Sequence, residues 1–256
     1  MKKTLVFLLL VCVTLFTLTG CGKGVSTKKL ATEDEIEEFF EDKYDALYEM
    51  TEEKYSFSFE YSSSSKFEEG ADSGSAKIKY EGRVIIDKEK PEKSALYVKG
   101  SQTSKGVEYG SEGKTKYSGK AKVEYTIFDE VSYEAIEVTE KNGESKYVES
   151  HKEKIDVEEE AALYAIMSRL QTCQIGNFES FFEGEQYYID GDKCLVVTST
   201  ASRHVEVTLK FEKDELVSIS VLQKSYNSKT EIEIKFGDVK SISKPKNASK
   251  YKDMED

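Results

Sequence analysis

The stretch Val205-Glu206-Val207-Thr208-Leu209-Lys210-Phe211 alternates apolar and polar residues without a break. Successive side chains of a strand point to opposite faces, so this is the pattern of a strand with one face buried and one wet. Similar segments flank it. Tyr187 to Ile189 and Lys193 to Thr200 precede it, with Asp190-Gly191 between them as a turn. Leu216 to Tyr226 follows a turn at Glu212 to Glu215, and Ile232, Ile234 and Phe236 follow Asn227-Ser228. The C-terminal third reads as a four-stranded antiparallel meander.

Towards the N-terminus the same period recurs. Phe57, Phe59 and Tyr61 alternate with polar residues, and further strands are expected at Ser75 to Asp87, Ala95 to Gln102 and Ala121 to Phe128. Val131 to Thr139 and Ser145 to Lys154 flank Asn142-Gly143, the strongest short hairpin signal. The Ser-rich and acidic run Ser62 to Gly74 reads as a loop. Thr103 to Gly119, rich in Gly, Ser and Lys, reads as a long, weakly structured hairpin or loop.

Two segments carry the helical period instead. Thr32 with Glu35 forms a capping-box pattern, and Ile36, Phe39, Phe40, Leu47 and Met50 follow near helical spacing, so a helix is expected from about Glu33 to Lys54. Asp156 and Glu159 offer a second start, and Glu158 to Glu160 place acids where the helix dipole favours them. Leu163, Ile166, Met167 and Leu170 make the second apolar stripe, with Gly176 as a stop signal. The polar tail after Pro245 is expected to fray.

Composition narrows the function classes. The 256 residues carry a formal net charge of -12, with 38% hydrophobic residues, 16 Tyr, 13 Phe, 2 Pro and 4 Cys. An acidic chain lacks the overall basic footprint of a nucleic-acid binder. Only one long apolar run is present, Leu5 to Phe16 behind Lys2 and Lys3. That run has the size of a secretory h-region and is short for a membrane span.

Chemistry-bearing patterns are scarce. His151 and His204 read as exposed strand residues, without metal-ligand spacing and without a H-E-x-x-H or G-x-S-x-G motif. Asp190-Gly191-Asp192 reads as a turn, since the other positions of a calcium loop are missing. No enzyme, metal or cofactor is implied. Cys173 and Cys194 could be two separate buried thiols or a disulfide. A bond would close a loop of about 20 residues and contribute about 3 kcal/mol on the chain-entropy model.

Leu18-Thr19-Gly20-Cys21, placed after the apolar run, resembles the lipobox of bacterial lipoproteins. The resemblance implies cleavage between Gly20 and Cys21, an S-diacylglyceryl group on Cys21 and, where a third chain is added, N-acylation. Two acyl chains suffice for stable anchoring. Residues 1–20 would then be a signal peptide, 21–32 a flexible tether, 33–245 one domain and 246–256 a polar tail. Gly22, rather than Asp, leaves out an inner-membrane retention signal. Three Arg among 37 basic residues fits an AT-rich genome and favours a Gram-positive host, with the anchor on the outer face of the cell membrane.

The order helix, strands, helix, strands, ending in Ile234-Lys235-Phe236-Gly237-Asp238-Val239 with Ile242 and Pro245, resembles the LolA-type and LppX/LprG-type lipoprotein carriers. This implies an α+β fold: a strongly curved antiparallel sheet, an unclosed barrel, with two main helices covering its concave face. In such a carrier Phe39, Phe40, Leu47, Leu163, Ile166, Met167 and Leu170 would line a cavity for a lipid or other apolar ligand. Packed tightly, the same residues would make a plain core. The other functional class that fits is a surface lipoprotein docking another envelope protein.

Overall fold

The computed structural model describes residues 29–110, 113–140, 146–155, 161–172 and 183–254. Helix α1 (Glu33–Glu52) starts where its capping box demands. The Glu35 amide donates to Thr32 Oγ1 at 3.3 Å, and the Thr32 amide donates to Glu35 Oε2 at 2.7 Å. Four long strands follow: β1 (Lys54–Glu69), β2 (Asp72–Asp87), β3 (Ala95–Gly110) and β4 (Gly113–Phe128). After them come β5 (Val131–Glu140), β6 (Lys146–Lys154) and helix α2 (Ala161–Thr172). The chain ends with β7 (Gln186–Asp190), β8 (Lys193–Ser199), β9 (Arg203–Glu212), β10 (Glu215–Ser225), β11 (Ser228–Phe236) and the short β12 (Lys252–Asp253).

All twelve strands form one sheet in the order β12-β6-β5-β4-β3-β2-β1-β11-β10-β9-β8-β7. Two meanders, β1–β6 and β7–β11, are joined side by side where β1 pairs with β11 in antiparallel register, Phe59 opposite Ile234. β7 and β12 stand at opposite edges, so the sheet does not close. Tight turns set the register. Asp129-Glu130 and Lys213-Asp214 take positive φ at both residues, the mirror-image turn that matches strand twist.

The register sorts side chains onto two faces. One face carries Phe57, Phe59, Val84, Leu96, Ile127, Leu209, Ile219 and Ile234, all buried in a single apolar cluster. Both helices pack there. Phe39 of α1 meets Phe211 edge-on at 5.7 Å, and Ile166 and Leu170 of α2 are buried. Arg169 of α2 lies 4.1 Å from the Tyr125 ring centre and pairs with Glu134 at 3.4 Å.

Several expectations are corrected. The fold is not α+β with two main helices covering the concave face of a sheet: strand outweighs helix 66% to 13%. Helices of 20 and 12 residues are too short to cover twelve strands. Ser62 to Gly74 and the described residues of Thr103 to Gly119 are not loops; apart from the turn at Gly70-Ala71 they belong to β1–β4, paired residue by residue. The C-terminal meander has five strands, because β7 pairs with β8 from Gln186 to Asp190. The tail is pinned rather than frayed: Lys252 and Asp253 pair with β6, and Tyr251 packs edge-on against buried Tyr133 at 5.5 Å.

Candidate functional site: the wet face of the sheet

The residues expected to line a carrier cavity are mostly spent on the core. Phe39, Ile166 and Leu170 are buried, while Phe40, Leu163 and Met167 are partly buried against the same cluster. The side chain of Leu47 lies outside the described residues, as do Cys21, Cys173 and the lipobox. Cys194 is a fully buried free thiol of β8, and burial pushes its pKa up to about 12. Such a thiol is inert at neutral pH.

The hollow of the molecule is on the other face. An open trough of about 1100 Å³ crosses β1–β6 and β9–β11. Its lining mixes charged side chains with apolar ones such as Val148 and Leu222. Glu60, Glu206, Glu231 and Glu233 stand on β1, β9 and β11, and Lys79, Lys99, Lys120 and Lys122 on β2–β4, where Glu81 and Glu124 lie among the lysines and Glu137 and Glu149 lie beyond them on β5 and β6. The backbone register explains the acidic side: Glu60 of β1 is flanked directly by Glu233 of β11 and Glu81 of β2. Like charges directly opposite one another disfavour the sheet. Lys235 relieves this by pairing with Glu233 at 3.1 Å, and that partner raises the Lys235 pKa. Lys229 pairs with Glu231 at 2.8 Å.

A second cleft, about 840 Å³, lies at the lower strand ends beneath residues 239–242. Tyr55, Ile85, Phe128, Leu216 and Phe236 line it, together with the bases Lys54, Lys93 and Lys240 and the acids Glu92, Asp129 and Glu215. Among the described residues, none of those expected to line a cavity reaches it.

The two histidines are half-buried rather than exposed. His204 links Ser199 Oγ, 2.6 Å from Nδ1, to Glu206 Oε1, 2.8 Å from Nε2. Sequence spacing concealed this line because Ser199 comes from the neighbouring strand. It has the residue types of a hydrolytic triad but lies on an exposed strand surface, and Ser199 and His204 line none of the described clefts. His151 sits beside Glu149, and its Nδ1 is buried without a partner. Among the described residues no group of His, Cys, Asp and Glu could hold a metal ion. No described helix is long and apolar enough to cross a membrane.

No protein-family model matches the chain, and no curated protein matches it. Among solved structures, a porin-like protein from Bacteroides uniformis aligns with 69% of this chain and 95% of its own, at 7% identity and a TM-score of 0.15. A likeness that weak carries no argument about fold or role.

Proposed function

We propose that this protein is a lipoprotein anchored through diacylglyceryl-Cys21 to the outer face of the cell membrane, and that its domain is a non-enzymatic docking module. The observation that supports docking is the division of the sheet. The apolar face is consumed by the core, whereas the polar face is left open as a charged trough. Lys-rich composition fits a Gram-positive host. Labelling cells with an alkyne-tagged palmitate tests the anchor. The chain is expected to be labelled and to sediment with membranes, and Cys21→Ala to lose both; an unchanged variant would refute it. Crosslinking in intact cells tests docking, with no reproducible partner as the adverse result.

A second reading, a carrier of lipid or another apolar ligand, draws on the lower cleft, where Tyr55, Ile85, Phe128, Leu216 and Phe236 gather. Solvent extraction of purified protein followed by mass spectrometry decides it. Repeated preparations without stoichiometric lipid would remove this reading.

A further inference from the structure

The outer halves of β1–β4 sort charge by face. On the trough side, Lys77 lies opposite Thr103, which lies opposite Lys120. One row inward, Lys79, Ser101 and Lys122 repeat the pattern; one row outward, Lys66, Ser75, Lys105 and Ser118 repeat it one strand over. Lysines therefore recur on alternate strands, about 10 Å apart, in rows about 7 Å apart, with hydroxyl residues between them. Lys66, Lys77, Lys79, Lys105, Lys116 and Lys120 are all exposed, and none forms an ion pair among the described residues. The opposite face of the same strand halves holds no lysine. There Phe67, Gly74, Ala76, Ser104, Gly106 and Tyr117 stand in corresponding positions.

Solubility alone would be served by interspersed signs. On this face Lys122 pairs with Glu137 at 2.9 Å and Glu68 adds one carboxylate; the remaining lysine array, in a chain of net charge -12, stores mutual repulsion that a polyanion relieves, with release of its counterions. The geometry points to an extended phosphodiester polymer of the cell envelope, a polyol-phosphate chain, as the occupant of this lysine face. Two features favour a single chain over an anionic bilayer. The lysine rows continue into the trough, a hollow that a flat surface does not enter. The trough also carries carboxylates, Glu206, Glu231 and Glu233 on its far wall and Glu81, Glu124 and Glu137 beside the inner lysines, which a chain keeping to the outer lysine rows avoids but an anionic plane alongside does not. Serine and threonine hydroxyls between the lysines can donate to phosphate oxygens. The outward location rests on the proposed anchor; the lysine array does not.

The test uses the mature chain and labelled poly(glycerol phosphate), with single-stranded DNA and phosphatidylglycerol vesicles in parallel, at about 0.1 M salt. The polymer is expected to bind more tightly than either comparison ligand. The triple variant Lys77→Gln, Lys79→Gln, Lys120→Gln should weaken polymer binding at least tenfold. It should also lower the log–log salt slope by about 2, near 0.7 per lost phosphate contact. A control triple of equal charge change, Lys88→Gln, Lys246→Gln, Lys250→Gln, should change affinity less than twofold. Equal losses in both triples, no polymer binding by the parent chain, or tighter binding of vesicles or DNA would each overturn the inference. A failure here leaves palmitate labelling of Cys21 untouched, so the two readings fail separately.

Discussion

Phe59 and Phe67 stand on the same strand, point to the same face and each lie over a glycine of β2, yet they live in different environments. Phe59 covers Gly82 inside the core and is 2% exposed; Phe67 covers Gly74 in the outer sheet and is 43% exposed. Tyr80 over Gly100 and Tyr117 over Gly106 repeat the device on β2–β4. In every case a Cβ on the glycine would come within 2.4 Å of the ring. The ring lies flat because the glycine has no side chain, and it shields backbone that glycine would otherwise leave bare. The inner half of β1–β4 adds a core to this local contact. The outer half has only the contact, the ladder hydrogen bonds and the hydroxyl pairs, so the same motif carries far less energy there.

The widest separation is expected on removing the rings. Phe59→Ala should cost about 4 kcal/mol, a buried aromatic plus its cavity. Phe67→Ala should cost less than about 1 kcal/mol, the scale of one cross-strand pair. Urea denaturation of both variants measures the difference, and equal losses would break the comparison. Next comes the glycine side of each pair. Gly82→Ala should cost about 3 kcal/mol, because the enclosed Phe59 ring cannot move aside. Gly74→Ala should cost under about 1 kcal/mol, because the Phe67 ring can swing into solvent.

A smaller effect follows from Cys194. Burial raises its thiol pKa from 9.0 to about 12, so the native state holds the proton more tightly than the unfolded chain does. The thiol's contribution is complete below pH 9 and is lost progressively as pH rises towards 12. At pH 10 the loss is about 1.4 kcal/mol, one pKa unit. Comparing pH–stability curves of the parent and Cys194→Val isolates it. If the two curves are parallel from pH 8 to 11, the thiol is not sealed in the core. A thiol reagent at pH 8 should likewise modify Cys194 only on unfolding.

Legibility in the sequence followed the presence of a core. The inner strands, the five C-terminal segments and the start of α1 were readable, because each pairs a buried face with a wet one or presents a local cap. Ser62 to Gly74 and Thr103 to Gly119 read as loops because neither face is buried deeply enough to impose apolar alternation. A weaker period-two signal was present in Lys77-x-Lys79, Lys114-x-Lys116 and Lys120-x-Lys122, with Phe67 and Tyr117 matched to glycines across the strands. The Ser199–His204–Glu206 line was illegible for a different reason: cross-strand pairing brings together residues five positions apart.

By itself, the sequence determined the period of each well-buried strand, the capping box at Thr32 and the turn within Glu212 to Glu215, because these depend on neighbours a few residues away. It also supplied the lipobox resemblance, which is a linear signal. Only the tertiary structure decided that β1 pairs with β11, that the helices sit on a packed face rather than over a cavity, and that lysines from four strands converge on one surface. Those outcomes depend on register between segments up to 180 residues apart, as in Ser58 donating to Asp238, and local periodicity carries no information about register at that range.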